Sequence, residues 1–174
     1  MNVGIFLDRD GVINEVLSHR VKFVNKPKDF YLLDGVGAAI KRFNKAGYKV
    51  FVVTNQGGIG LGYMKESMLD KVHNKMKDDL AEYGASVEAI SYCPHKPHAG
   101  CACRKPEPQM ILDLAKKYHV DVGESYMVGD RAPDIEAGKK AGAKTVLVGS
   151  RKEDNVEADL QFADLLAFAK WLIP

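Results

Sequence analysis

The chain of 174 residues is 46% hydrophobic, enough to bury one core and too short for two ordinary domains, so it reads as a single domain over 1–174. Its 25 Lys and Arg stand against 23 Asp and Glu, and a formal charge of +2 gives no global argument for nucleic acid or an anionic membrane surface. The opening MNVGIFLDRDG has no basic lead-in and no cleavage site of a signal peptide, no segment approaches the ~20 apolar residues of a membrane span, and three cysteines are an odd number. The reading is a cytoplasmic protein without a disulfide framework, and a monomer, since no exposed apolar repeat suggests an interface.

In chain order, VGIFLD (3–8) predicts a first strand, and the stretch 14–35 after it resists any period and reads as a flap or irregular loop over the strand ends. DGVGAAIKRFNKAG carries Val36, Ala39, Ile40 and Phe43 at helical spacing, with Gly47 as the stop. YKVFVVTN (48–55) is the second strand. MKESMLDKVHNKMKDDLAEYG is a helix whose apolar face runs through Met68, Leu69, Val72, Met76, Leu80 and Tyr83. VEAISYC (87–93), SYMVGD (125–130) and KTVLVG (144–149) are three further strands, separated by the helical patterns PQMILDLAKKYH and APDIEAGKKAG. A last helix is predicted in FADLLAFAKWLIP through Phe162, Leu165, Leu166, Ala169 and Leu172. The alternation implies an α/β fold, a parallel sheet of five strands with helices on both faces.

Ligands of such sheets bind beyond the carboxyl ends of the strands. At the first tip Asp8 and Asp10 flank Arg9, and Gly11 permits a sharp turn; the pair either caps that turn or needs a cation or a proton between its charges. At the second, Thr54, Asn55, Gln56, Gly57 and Gly58 offer a hydroxyl, two amides and close backbone approach to an anion, or form a plain turn. At the fourth, Asp130 is the strand-tip ligand, whereas Asp134 is either a helix N-cap or a partner behind the ligands. Arg131 lies between them. Three acids for a hard cation with a hydroxyl and a lysine for oxyanions are the parts of phosphoryl transfer. No G-x-x-x-x-G-K-[ST] is present, and GGIGLG at 57–62 follows the second strand rather than the first, which disfavours a nucleotide-dependent kinase or dehydrogenase.

All three cysteines lie in CPHKPHAGCACRKP (93–106). Cys93, His95, Cys101 and Cys103 form C-x-H-x₅-C-x-C, a Cys₃His set suited to closed, structural Zn²⁺, with His98 as the rival nitrogen donor on spacing alone. The C-x-C spacing is not that of a redox pair. A loop so poor in apolar residues cannot hold its shape by burial, and zinc would fix it and so aim Arg104 and Lys105, which follow directly. Of the other histidines, His19 reads as a loop residue, His73 as a helix-surface residue and His119 as a helix end.

FLDRDGVIN, VVTNQGGIG, CRKPEPQMI and MVGDRAPDIEAGKKAG, in this order, resemble the four motifs of the haloacid-dehalogenase superfamily of aspartate-nucleophile phosphatases. Within it the chain is most similar to the zinc-containing branch of heptose 1,7-bisphosphate phosphatases and histidinol-phosphate phosphatases, and DRDGVIN, TNQGGIG and CRKP favour the heptose side. The resemblance implies a Rossmann-like strand order 3-2-1-4-5. It also implies Asp8 as nucleophile, Asp10 as general acid and base, and Thr54 and Lys105 as phosphoryl-oxygen ligands. Mg²⁺ would be held by Asp8, the backbone carbonyl of Asp10 and Asp130, and His95 rather than His98 would ligate zinc. Val12 stands where the first motif often has Thr. Members commonly carry a separate cap domain, for which this chain has no room, so the zinc loop and the 14–35 segment would recognise substrate in its place. Asn55, Gln56, Gly57, Arg104 and Arg131 are then the substrate-binding residues, and a small phosphorylated sugar with a second anion is the implied substrate. Histidinol phosphate, or no catalysis at all in a zinc-stapled binding module, are the alternatives.

Overall fold

The computed structural model describes residues 1–149 and 155–174. Five strands fall within the predicted runs: β1 (Gly4–Leu7), β2 (Lys49–Asn55), β3 (Ala89–Cys93), β4 (Tyr126–Gly129) and β5 (Lys144–Val148). They pair in parallel in the implied order, but a sixth strand, β6 (Leu160–Phe162), adds to the edge, so the sheet runs β3-β2-β1-β4-β5-β6. The expectation of five strands is corrected there. Phe162, read as the first turn of the last helix, pairs with Val148 instead. The cause is local and polar: the Asp159 carboxylate accepts from Thr145 N at 2.8 Å and from its hydroxyl at 3.2 Å, and Asp159 N donates back to that hydroxyl at 3.0 Å. This docks the chain against β5. Asp164 then caps the helix, its carboxylate accepting from Ala167 N at 2.8 Å.

The helices are α1 (Val36–Lys45), α2 (Glu66–Ala81), α3 (Gln109–Tyr118), α4 (Ala132–Ala141) and α5 (Leu165–Leu172). Alternate strand residues feed two cores. Ile5, Leu7, Val50, Val52, Val128 and Val146 pack with α1, α2 and α5. Phe6, Phe51, Val53 and Met127 face α3 and α4 on the other side. β1 and β4 are buried along their whole length, as expected of central strands covered on both faces. Helix ends follow the sequence signals: Gly47 (φ +88°) and His119 (φ +55°) take the left-handed conformation after α1 and α3.

The 14–35 segment is irregular, with one short 3₁₀ turn at Pro27–Asp29. It is more than a flap, because Val21, Val24 and Phe30 are buried and join the α1 core. Val12, at the departure from the family motif, packs into the same core. Among the described residues no helix is long and apolar enough to cross a membrane.

Candidate active site

The parallel sheet sets the tips of β2, β1 and β4 side by side. Asp8 follows β1 directly, its amide donating to Val128 O at 3.0 Å. The chain then turns at Gly11 (φ +86°), with the amides of Val12, Ile13 and Asn14 all donating to Arg9 O.

Lys105 is the hub of the site. Its ammonium, almost fully buried, donates to Asp8 Oδ1 at 2.8 Å, Asp134 Oδ1 at 2.7 Å and Val53 O at 2.8 Å. All three of its hydrogens are thus engaged within the protein. A phosphoryl oxygen reaches this ammonium only by sharing one of them. Burial, then the neighbouring Asp134, push the Asp8 carboxyl well above the ordinary range, against the opposing pull of Lys105; Asp130 adds to the rise.

Asp134 is not the N-cap of α4: Arg131 holds that place, and Asp134, three residues further on, reaches back to it. Its Oδ2 accepts from the amides of Asp130 (3.2 Å) and Arg131 (3.3 Å), while Oδ1 takes Lys105. Gly129 makes this fit possible, since a Cβ there would lie 2.1 Å from Asp134 Cβ. Ligand oxygens of Asp8, Asp130 and Asp134 lie within 4.8 Å of one another, three buried acids against one lysine. That excess of hard oxygen donors fits Mg²⁺.

The Asp10 carboxylate is turned elsewhere. Oδ1 accepts from Arg9 Nη2 at 2.8 Å, Arg9 Nε at 3.2 Å and Asn14 Nδ2 at 3.0 Å, and Oδ2 faces Gln56 Nε2 at 3.4 Å. Burial raises its pKa, but the Arg9 charge and the hydrogen bonds of Asn14, Arg9 and Gln56 outweigh it and hold the carboxyl below its ordinary value.

The predicted substrate-binding residues divide. Gln56, Gly57, Arg104 and Arg131 line a cleft of about 940 Å³ above Asp8 and Asp10. Asn55 lines it too, but its amide is occupied: Nδ2 donates to Lys105 O at 3.1 Å and Oδ1 accepts from Lys105 N at 2.9 Å, so its side chain positions Lys105. Thr54 is fully buried, its hydroxyl accepting from Gln56 Nε2 at 2.9 Å, which leaves its own hydrogen to donate. Lys22, Phe23 and Leu17 of the 14–35 segment, with Tyr63, complete the rim.

In the cysteine loop it is His95, not His98, that stands with the sulfurs. Its Nδ1 lies 3.3 Å from both Cys93 Sγ and Cys103 Sγ, and Cys93 Sγ lies 3.6 Å from Cys101 Sγ. Cys103 Sγ lies closer to Cys93 Sγ, at 2.6 Å, so the four donors are gathered but drawn tighter than the ~3.7 Å edge of a tetrahedron with Zn–S bonds of ~2.3 Å. The cysteines are free, so three thiols and an imidazole within 4.8 Å fit Zn²⁺. His98 lines the cleft. The loop leans on the turn after β2, where Gly60 N donates to Pro94 O at 2.9 Å and a Cβ on Gly60 would lie 2.6 Å from Lys96 N.

Two residues escaped the sequence reading. Arg9, flanked by the two acids, is 0% exposed, and His73, read as a surface residue of α2, is 5% exposed. They meet, Arg9 Nη1 to His73 Nε2, at 3.1 Å. The signal for His73 was available, because Leu69, Val72, His73, Met76 and Leu80 share one helical face. Burial, then the Arg9 charge, lower the His73 pKa from 6.5 to about 3. The unfolded chain therefore binds a proton that the folded chain refuses. The stability this residue contributes is whole above pH 6.5 and is lost as pH falls toward 3. Between pH 7 and pH 5 this predicts a loss of ~1–2 kcal/mol in urea unfolding, absent from a His73→Gln variant measured alongside.

A family model described as HAD-hydrolase-like matches residues 102–166. The chain is 38% identical to the D-glycero-beta-D-manno-heptose-1,7-bisphosphate 7-phosphatase of Pseudomonas putida, over 97% of this chain and 98% of the relative. It is also 38% identical to the D-glycero-alpha-D-manno-heptose-1,7-bisphosphate 7-phosphatase of Photorhabdus laumondii, over 79% of this chain and 76% of that protein. Among solved structures, the D,D-heptose 1,7-bisphosphate phosphatase of B. bronchiseptica, complexed with magnesium and phosphate, superposes with a TM-score of 0.87 at 38% identity, covering 99% of this chain and 98% of that one. With its sheet order, its strand-tip acids and these relatives taken together, the chain belongs to the haloacid-dehalogenase-like hydrolases, in the family of the heptose-1,7-bisphosphate 7-phosphatases.

Proposed function

We propose that the chain is a Mg²⁺-dependent phosphomonoester hydrolase that removes the C7 phosphate of D-glycero-D-manno-heptose 1,7-bisphosphate through an aspartyl-phosphate on Asp8. The observation that carries this reading is Lys105, held between Asp8 and Asp134 at the floor of the cleft, with an oxygen of Asp130 within 4.8 Å of those two acids. Asp8 Oδ attacks phosphorus, and the bond from phosphorus to the C7 oxygen breaks. Asp10, ionised in the empty site, takes up a proton beside the bound phosphate anion and gives it to that departing oxygen, then takes one from the water that cleaves the acyl phosphate. Thr54 donates its free hydroxyl hydrogen to a phosphoryl oxygen, and Lys105 shares one of its three, so charge that develops in the transition state meets fixed donors. Mg²⁺, held by Asp8, Asp130 and the Asp10 carbonyl, would screen the repulsion between carboxylate and phosphate. Zn²⁺ on Cys93, His95, Cys101 and Cys103 would hold the loop that carries Arg104 and Lys105.

The finer substrate assignment rests on the rim. Lys22, Arg104 and Arg131 line the cleft, and among the described residues its acidic lining groups are Asp8, Asp10 and Asp134, all engaged in the chemistry. A second anion suits such a rim, whereas the amine of histidinol phosphate finds no spare carboxylate. The chain acts here as one domain without a separate cap, in which the zinc loop and the 14–35 segment select the substrate.

The test is kcat/KM with Mg²⁺ for both anomers of heptose 1,7-bisphosphate, fructose 1,6-bisphosphate and histidinol phosphate. A preference of about 10²-fold or more for one heptose anomer, ~2.7 kcal/mol of transition-state discrimination, is the expected outcome. A flat profile, or a preference for histidinol phosphate, would overturn the assignment.

A further inference from the structure

Asp10 is a short side chain at the edge of an open cleft, and proton donation requires its reactive oxygen to be held toward the leaving group. What holds it reaches back through the protein to α2. Arg9 Nε and Nη2 both donate to Asp10 Oδ1, and the remaining arm, Nη1, runs to His73 Nε2. Guanidinium has donors only and keeps its charge, so His73 Nε2 must be the acceptor and its ring proton sits on Nδ1. The ring itself is braced by Tyr92, with centroids 6.2 Å apart. With Asn14 as a third donor, Oδ1 of Asp10 is surrounded by N–H groups, so Oδ2 is the oxygen that takes up and gives the proton when substrate is bound.

We propose that Arg9 and His73 form a buried relay that positions the Asp10 carboxyl, so that Oδ2 presents its proton to the leaving oxygen of the substrate. Both are positioning residues, since neither lines the cleft. The inference rests on the reading of Asp10 as general acid. Removing the acceptor on His73 leaves a buried arm of Arg9 without its partner, and the guanidinium turns to satisfy it, taking Asp10 with it.

The test compares two leaving groups in the intact enzyme with Mg²⁺. A sugar alkoxide needs a proton as it departs, whereas p-nitrophenolate departs without one. Asp10→Asn should lower kcat/KM for heptose 1,7-bisphosphate by about 10²-fold or more and act far less on p-nitrophenyl phosphate. His73→Leu should show the same split in smaller measure, about tenfold in kcat on the sugar phosphate with KM little changed, and within about threefold on the aryl ester. His73→Gln, whose amide oxygen stands close to the position of Nε2, should restore the sugar phosphate activity. Where His73→Leu does not fold, His73→Gln set against the shorter His73→Asn decides by the same split. Equal losses on both esters, no loss, or failure of His73→Gln to restore would overturn the relay. If Asp10→Asn itself shows no split, the general-acid reading falls and the relay with it.

Discussion

Replacing Lys105 by Met removes turnover, with kcat/KM down by about 10³-fold or more, and unfolds the protein more readily by ~3–5 kcal/mol. The side-chain volume is kept, so the loss is that of the charge. Three buried acids, Asp8, Asp130 and Asp134, are left within 4.8 Å of one another without the ammonium that joins two of them. Asp8, already pushed up by burial and by Asp134, then resists ionisation further and stops serving as a nucleophile. Lys105→Arg does not rescue. The three acceptors around Nζ suit a tetrahedral ammonium, and a planar fork cannot meet them from the same buried point. Steady-state kinetics and urea unfolding check both halves; full activity in either variant would remove Lys105 from the centre of the account.

The second large effect is that of the zinc ligands. Cys103→Ser loses the metal and costs on the order of 4 kcal/mol, which lowers the melting temperature by about 10 °C. The 93–103 loop has little to bury beyond Cys93, so the four-donor cluster is its main source of shape. Activity also falls, by about 10²-fold, because Arg104 and Lys105 follow the last ligand immediately and a displacement of about 1 Å suffices. Zinc content by elemental analysis, a thermal melt and kcat/KM make the three readouts. A zinc-free variant with the parent melting temperature would show that the cluster does not hold the fold.

The candidate site was easier to propose from the sequence than the edge of the fold. Asp8, Asp10, Thr54 and Asp130 were legible because each follows an apolar run, and a parallel sheet delivers the ends of all its strands to one side. The spacing of the three cysteines and His95 was legible as chemistry, although the choice against His98 came from the family pattern. β6 was not, because three residues with one apolar face fit a helical spacing as well as a strand, and the pairing is decided by Asp159 and Thr145, 14 residues apart. Arg9 was hidden by its neighbours: between two aspartates it resembles a solvated charge, and its burial depends on α2 closing over it. Asn55 has a side chain of the kind that binds anions, and only the fold shows that its amide pairs with the backbone of Lys105.

The central claim is that Asp8 carries the phosphoryl group. It is tested most directly in the Asp10→Asn variant, in which cleavage of the intermediate lacks its base. After rapid quenching with excess p-nitrophenyl phosphate and Mg²⁺, whose leaving group needs no proton from Asp10, peptide mass spectrometry should find one phosphoryl group on the peptide that contains Asp8, and none after Asp8→Asn. Phosphate on another residue, or turnover that survives Asp8→Asn, would contradict the account.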